Sequence, residues 1–463
     1  MNLKKMLAAL TALSCVISVT ACGSSEPTVE ETTTTTESQT EWTGDNIAVE
    51  PIEEPDETVD ISGQSIAFLG IADINPTNSS PERTVALTLY EDTYGAKVEY
   101  WPTTTSKKFD DLATNILGGN PPDIFLYEWM AFPYGVSQGQ YQPVDSIIDF
   151  SDPLWQDMES VADDFVMDGQ HYVTPLGYRF KDIQVLMYNR TVYENEGLDD
   201  PYDLYLNGDW DWDAFVSIMK QYVETDPLNR KGIAGWWSNA FVFTSGETVV
   251  KYDGKTFTNN IKSAAIEKAQ MVLEDLTKNA LIEPGWVSDS AAFADDKYAF
   301  YGMGTWAYEN AQKNRSDCEI QIVPFPKAPD SDTYYTSNAL HSYMWVAGSE
   351  KADAVKIWLE CCRKEYVEES YVETAKAKYL ENNPNWTEDM YDLVMNFYDP
   401  EQFTQVFDYG YGISTVMSAT DSGDGAIISN IYEGIANGVV ENWAQCKDTY
   451  SDIIDQELAV YNE

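Results

Sequence analysis

Ser65 to Leu69 is a short apolar run that stops at Gly70 and gives way to a polar stretch from Asp73 to Ser80, the pattern of a buried strand feeding a loop. Ser80-Pro81-Glu82 then supplies an N-cap, a first-turn proline and an acid at the positive end of a helix, which Val85, Leu89 and Tyr94 continue until Gly95. Lys97 to Trp101 predicts a second strand, Lys107 to Leu117 a helix closed by Gly118-Gly119, and Asp123 to Tyr127 a third strand. Strand and helix in alternation imply a parallel sheet with right-handed crossovers. A second unit of the same kind follows. Asp211 caps a helix with Trp212, Phe215, Val216 and Met219 on one face, and Gly232 to Gly235 is strand-like and ends in Trp236-Trp237. Asn260 opens a helix carrying Ala265, Ala269, Val272 and Leu276, Phe300 to Gly304 and Ile320 to Val323 are strand-like, and Ala352 to Lys364 and Trp443 to Tyr461 read as amphipathic helices.

The start of the chain follows another pattern. Met1 to Lys5 is basic, Met6 to Val19 is apolar, and Val19-Thr20-Ala21-Cys22 puts small residues before a cysteine. This is the order of a secretory signal, and the apolar run is short for a membrane span. The residues around Cys22, with Gly23-Ser24-Ser25 behind it, fit a bacterial lipobox, so residues 1–21 are expected to be removed and Cys22 to carry lipid. Cys15 fits less well, because Leu13 is bulky and cleavage there would halve the apolar run. Residues 22–60 are rich in Thr, Glu, Pro and Ser, which cannot bury enough apolar surface to offset chain entropy, so they predict an extended, disordered tether.

What remains is too long for one core and predicts at least two lobes. Lys and Arg number 28 against 77 Asp and Glu, a net charge of −49, and no long basic stripe is present. Nucleic acid and anionic membrane surfaces are therefore poor partners, and the membrane is expected to be met through the lipid alone. Cys318, Cys361, Cys362 and Cys446 have the spacing of neither a zinc ribbon nor a disulfide framework, which favours small buried thiols.

Several motifs in order resemble the extracellular solute-binding proteins of carbohydrate ABC importers, family 1, the maltose-binding type. They are Gly118-Gly119-Asn120-Pro121-Pro122-Asp123-Ile124-Phe125; Tyr172 to Pro175 with Leu186-Met187-Tyr188-Asn189-Arg190; Gly208-Asp209-Trp210-Asp211-Trp212; Asp253-Gly254-Lys255 with Asn259-Asn260; Gly304-Thr305-Trp306-Ala307-Tyr308; and Val323-Pro324-Phe325-Pro326. The resemblance implies an α/β, two-lobed, periplasmic-binding-protein-like (type II) fold joined by hinge strands. Lobe 1 is expected over 61–180 and 342–395, and lobe 2 over 181–341 and 396–463. It implies an oligosaccharide ligand in the cleft and ABC permease subunits as partners. It also implies a chain that acts as a monomer, lipid-anchored on the extracytoplasmic face, with a Gram-positive-type cell surface as the expected setting.

Sugars present apolar C–H faces ringed by hydroxyls, so a site for them wants aromatic plates edged by acids and amides. Tyr127, Glu128 and Trp129 follow the third strand directly. Trp236 and Trp237 are adjacent and in extended chain face opposite ways, so one faces the cleft and the other the core. Trp306 and Tyr308 share a side if their loop is extended; Trp306 is the strongest single candidate, through its likeness to the family's Trp-Ala-Trp loop. Asp73 and Asn75 either meet sugar hydroxyls or serve the turn beside Pro76. Arg179 and Asp182 either touch ligand or brace the hinge, and Tyr411 resembles a late-hinge aromatic. Trp210 and Trp212 are expected to pack at a helix start.

Enzyme readings find little material. A glycosidase needs two placed carboxylates, and no hydrolase motif accompanies the many acids. His171 and His341 are the only histidines, too few and too far apart for a triad or a His-rich metal site. Asp421 to Gly425 resembles a calcium loop without the later Glu of an EF-hand. No cofactor and no metal is implied. The rival readings are the same fold holding a non-sugar solute such as a peptide, and a tethered surface protein that binds or degrades glycan.

Overall fold

The computed structural model describes residues 59–77, 83–337, 339–418 and 426–462, all inside one contact unit that runs from Gly44 to Glu463. Cys22, the signal, nearly all of the tether, the Ser80-Pro81-Glu82 cap and the 421–425 loop lie outside the described residues. Among those described, no helix is long and apolar enough to cross a membrane.

Two sheets organise the unit. In the first, the strands run in the order Lys97–Pro102, Ser65–Gly70, Ile124–Leu126, Leu340–Trp345, Thr174–Tyr178. Ser65–Gly70 lies parallel to both Lys97–Pro102 and Ile124–Leu126, as alternating strand and helix predict. Leu340–Trp345 is antiparallel to both of its neighbours. The second sheet has the order Ile320–Val323, Gln184–Asn189, Tyr298–Gly304, Lys231–Gly235. Here Tyr298–Gly304 is parallel to Lys231–Gly235, and Gln184–Asn189 is the antiparallel member. The antiparallel strand of each sheet is the one that has just crossed from the other sheet. The observed fold is therefore the α/β, two-sheet arrangement that the sequence implies.

Helices form where the apolar spacing places them, with local differences at their starts. Helix Trp212–Thr225 begins at Asp211, whose carboxylate accepts the Ala214 N–H, and buries Trp212, Phe215, Ile218 and Met219. The helix expected to open at Asn260 instead starts at Ala264. Ser263 caps it by accepting the Ala265 and Ile266 N–H groups, while the Asn260 amide is used on Glu247 and the Thr248 carbonyl. Thr84 caps the Val85–Thr88 helix, which widens into a π turn over Leu89–Thr93 before Gly95. Trp210 and Trp212 are buried, their indole N–H groups donating to the Pro324 carbonyl and the Thr244 hydroxyl, each at 2.8 Å. Cys361, Cys362 and Cys446 are buried free thiols, and Cys318 is half-buried.

Arg363, 1% exposed on helix Ala352–Val367, is a charged group held inside the core. It donates to the Leu154 and Leu176 carbonyls and pairs with Asp157. Leu176 lies in the strand that leads out to the second sheet, so this fork fastens the crossing to the helix layer. Arg363→Ala is predicted to lower the unfolding free energy by about 3 kcal/mol or more in urea titrations, since it strands buried carbonyls and opens a cavity. Arg363→Lys should recover only part of this, because an ammonium lacks the fork geometry.

Candidate functional site

A cavity of about 1060 Å³ opens where the parallel strands of both sheets end. Ile124–Leu126 releases Tyr127, Glu128 and Trp129 into its wall; Lys231–Gly235 releases Trp236; Tyr298–Gly304 releases Trp306. Carboxyl ends of parallel strands are where open α/β sheets place ligands, since the loops there need not continue the ladder. Gly235, at φ +103°, is required at one of these exits: a Cβ there would come within 2.2 Å of the Gly302 carbonyl oxygen.

Of the residues singled out in the sequence, Tyr127, Glu128, Trp129, Arg179, Asp182, Trp236, Trp237, Trp306 and Tyr411 all line this cavity. The adjacent tryptophans differ in exposure, Trp237 at 3% and Trp236 at 43%, yet both line the cavity, because the chain bends there into helix Ser238–Phe243 instead of running extended. Asp73, Asn75 and Tyr308 are not on the wall. The Asp73 carboxylate accepts the Asn75 N–H at 2.9 Å and its side-chain amide at 3.0 Å, which is turn chemistry. Tyr308 does not share a side with Trp306, because Thr305–Ala307 coils into a 3₁₀ turn that runs into helix Tyr308–Asn314. Its ring is 2% exposed and packs on Trp386 with centroids 4.6 Å apart.

The wall also holds groups that sequence reasoning missed: Trp286, Gln184, Asn239, Asp408 and Glu433. Trp286 stands just beyond Pro284-Gly285, a turn signal that also marks an exposed loop tip, and that adjacency could have flagged it. Asp408 and Glu433 come from the far end of the chain and carry no local signal. Among the described tryptophans, those that remain substantially exposed are Trp129 at 40%, Trp236 at 43%, Trp306 at 44% and Trp286 at 67%, and all four face this cavity. Exposed large aromatics gathered in one concave site mark binding rather than packing.

Polar groups stand at the edges of these plates. The Trp236 indole N–H donates to Glu433 Oε1 at 3.2 Å. Glu128 pairs with Lys108, Arg179 lies 3.7 Å from Asp182, and Glu283 lies 2.9 Å from Lys297. Gln184 accepts from the Ser337 hydroxyl at 3.1 Å and turns its amide nitrogen toward Asn239. Trp129 leans on Tyr411 with centroids 5.8 Å apart, a contact allowed because Gly412 has no Cβ to strike the Trp129 carbonyl oxygen. Burial pushes the Asp408 carboxyl up to about 7, against the Gly410 N–H and the Tyr432 hydroxyl, which favour its charge. Burial also raises the Tyr127 and Tyr411 hydroxyls, so both stay neutral donors. Among the described residues, no group of three or more His, Cys, Asp or Glu side chains is placed to hold a metal ion. Aromatic faces, amides, carboxylates and neutral hydroxyls together can bind a polyhydroxylated solute.

The family model for bacterial extracellular solute-binding proteins matches residues 86–380, well over half of the chain. No curated protein matches the sequence. Solved structures match its fold. The ABC substrate-binding protein Lmo0181 from Listeria monocytogenes, in complex with cycloalternan, aligns with a TM-score of 0.60 at 15% identity, covering 86% of this chain and 99% of that one. The sugar-binding protein MalE from Xanthomonas citri aligns with a TM-score of 0.61 at 13% identity, covering 86% and 98%. The galacto-N-biose/lacto-N-biose I-binding protein of the ABC transporter from Bifidobacterium longum, in complex with lacto-N-biose, aligns with a TM-score of 0.59 at 13% identity, covering 86% and 97%. Identities this low establish a shared two-lobed α/β fold.

The raised Asp408 carboxyl has a stability consequence with a definite sign. Unfolded, the group releases its proton near the ordinary aspartate value of 3.8; folded, it keeps it to about 7. The folded state thus binds the extra proton between those values, and this contribution to stability is lost as pH rises through that window. Thermal unfolding of Asp408→Asn should show a shallower decline from pH 4.5 to pH 7.5 than the parent protein. Asp164, whose burial raises it to about 6, titrates in both proteins and cancels in the difference.

Proposed function

The chain belongs to the bacterial extracellular solute-binding proteins, and from that membership we propose that it captures an oligosaccharide between its sheets and delivers it to an ABC permease. The observation that carries the sugar reading is the gathering of the exposed tryptophans in one cavity, with Glu433, Glu128, Asp408, Gln184 and Asn239 at their edges. A cavity of about 1060 Å³ is at the upper end of the usual range for small-molecule sites and suits several sugar rings rather than one. The sugars held by structural neighbours support the same reading.

In this reading the first lobe is built on the Ser65–Gly70 sheet and the second on the Gln184–Asn189 sheet. Residues 386–395 join the second, since Trp386, Leu393 and Val394 pack with Val185, Met187 and Ala307. The aromatics of one lobe hold the sugar weakly, and closure about the crossing segments adds the contacts of the other. The closed form is what the permease reads. Cys22, lipidated on its thiol before the signal is removed, holds the receptor on the outer face of a single membrane, and the acidic tether lets the lobes reach solute without losing the transporter.

Titration with a panel of neutral oligosaccharides should give saturable heat and a change in tryptophan fluorescence. Trp306→Ala is expected to weaken the best ligand by tenfold or more, about 1.4 kcal/mol, with little effect on the melting temperature because the ring is already exposed. A broad soluble-glycan screen in which the folded protein binds nothing would sink the sugar reading.

A further inference from the structure

Lys108 opens helix Lys108–Leu117 and is buried, with 5% of its side chain exposed. Three things make that position unfavourable for folding. An ammonium is stripped of water there, and it sits at the positive end of a ten-residue helix. The residue before it, Lys107, supplies no side-chain cap and adds a second cation. Burial pulls the Lys108 ammonium down to about 8. A methionine of similar reach would avoid the desolvated charge and the repulsion at the helix end.

What the ammonium touches offsets them. It pairs with Glu128 and lies 5.5 Å from the centroid of the Trp129 ring and 5.5 Å from that of Phe109. Glu128 and Trp129 are consecutive residues of the cavity wall, whereas Lys108 lies behind the wall and is not part of it. One buried cation thus holds from the rear an acid and an aromatic plate that face the solute. The only regular structure in the loop that carries them is the short Trp129–Ala131 3₁₀ turn, and Trp129 leans on Tyr411 from the other side.

We infer that Lys108 is a positioning residue for ligand binding, fixing Glu128 as a carboxylate and Trp129 as a plate at the price of fold stability. The inference rests on the sugar reading of the cavity, but part of its test needs no ligand. The groups facing Lys108 are few. Glu128 comes from the loop after Ile124–Leu126, and Phe109 and Trp129 present rings. Of the acids in its own first turn, Asp110 is exposed and Asp111 accepts from the Thr103 hydroxyl. Tyr127 and Tyr411 stay neutral through the alkaline range, so Lys108 is the wall-supporting group that loses charge between pH 7 and 9.

The test measures Kd for the best oligosaccharide of the panel, melting temperature, and amide exchange at residues 127–131 in the unliganded protein, for Lys108→Met, Lys108→Arg, Glu128→Gln and the Met/Gln double variant. Lys108→Met should bind about tenfold more weakly while melting at or above the parent temperature, and its 127–131 amides should exchange faster. Lys108→Arg should bind within about threefold of the parent and hold that affinity at pH 9, where the parent weakens. The losses of the two single variants should add only in part in the double variant, because both substitutions break the Lys108–Glu128 pair. Unchanged binding and exchange in Lys108→Met, losses that add in full, or identical pH profiles for the parent and Lys108→Arg would each overturn the inference. If no sugar binds, faster 127–131 exchange in Lys108→Met but not in Lys108→Arg still supports the positioning role, and unchanged exchange refutes it. A failed sugar reading is thereby kept apart from a failed positioning role.

Discussion

The chain passes between its two sheets in short segments, the first of them coiled into a 3₁₀ turn at Phe180–Asp182, and the way those passes are tied together governs what is built around them. Tyr178 stacks on Tyr398 with ring centroids 4.3 Å apart and planes 21° apart. The Tyr398 hydroxyl donates to the Ser337 carbonyl at 3.2 Å, and the Ser337 hydroxyl donates to Gln184 Oε1 at 3.1 Å. The outgoing, returning and late segments are thus held to one another by a stack and two hydrogen bonds. Because the crossing turns the sheets toward a shared gap, the carboxyl ends of strands from both sheets release their loops into the same cavity. Tie and site also share an atom set: Gln184, the last member of the chain of bonds, is itself part of the cavity wall. Movement at the crossing therefore changes the wall directly.

Much of this was legible in the sequence wherever the determinant was local. The run from Ser65 to Leu69, the glycines that close Lys107–Leu117 and the strand from Asp123 mark elements that local pattern alone can read, whereas the placing of Ser65–Gly70 between the other two strands carries no local signal. Trp129 and Trp236 were legible because each stands just past a strand end, where the chain must leave the sheet, and Trp306 through the likeness of its loop to the family's Trp-Ala-Trp loop. What failed did so for equally local reasons. Tyr308 was placed beside Trp306 on the assumption of extended chain, but a 3₁₀ turn rotates it into the Trp386 contact. Asn260 looked like a helix cap, yet Ser263 had the better geometry and Asn260 had other carbonyls to serve. Asp408 and Glu433 reach the cavity from a part of the chain far beyond Trp129, Trp236 and Trp306, and no periodicity or turn rule reports a contact of that range.

The site concentrates the groups that sit least comfortably in the fold. Asp408 is buried enough to keep its proton to about 7, Lys108 is a desolvated ammonium at a positive helix end, and four large indoles remain in contact with water. Elsewhere the core is conventional, with aromatic edges packed on one another around Phe215, Phe300 and Trp210. Such a division is expected of a binding protein, because a wall that must exchange water for solute cannot also be optimised for its own packing. Glu128, Asp182, Gln184 and Glu433 on the wall are already paired with protein, so a solute meeting them extends these networks rather than replacing them.

The central claim is that the occupant of the cavity is an oligosaccharide. It is tested most directly by purifying the full-length protein from its own cells without denaturation and identifying by mass spectrometry the small molecule released when it is unfolded. The account predicts a glycan of several sugar units, present in the parent protein and depleted in Trp306→Ala. A peptide released in its place would contradict it.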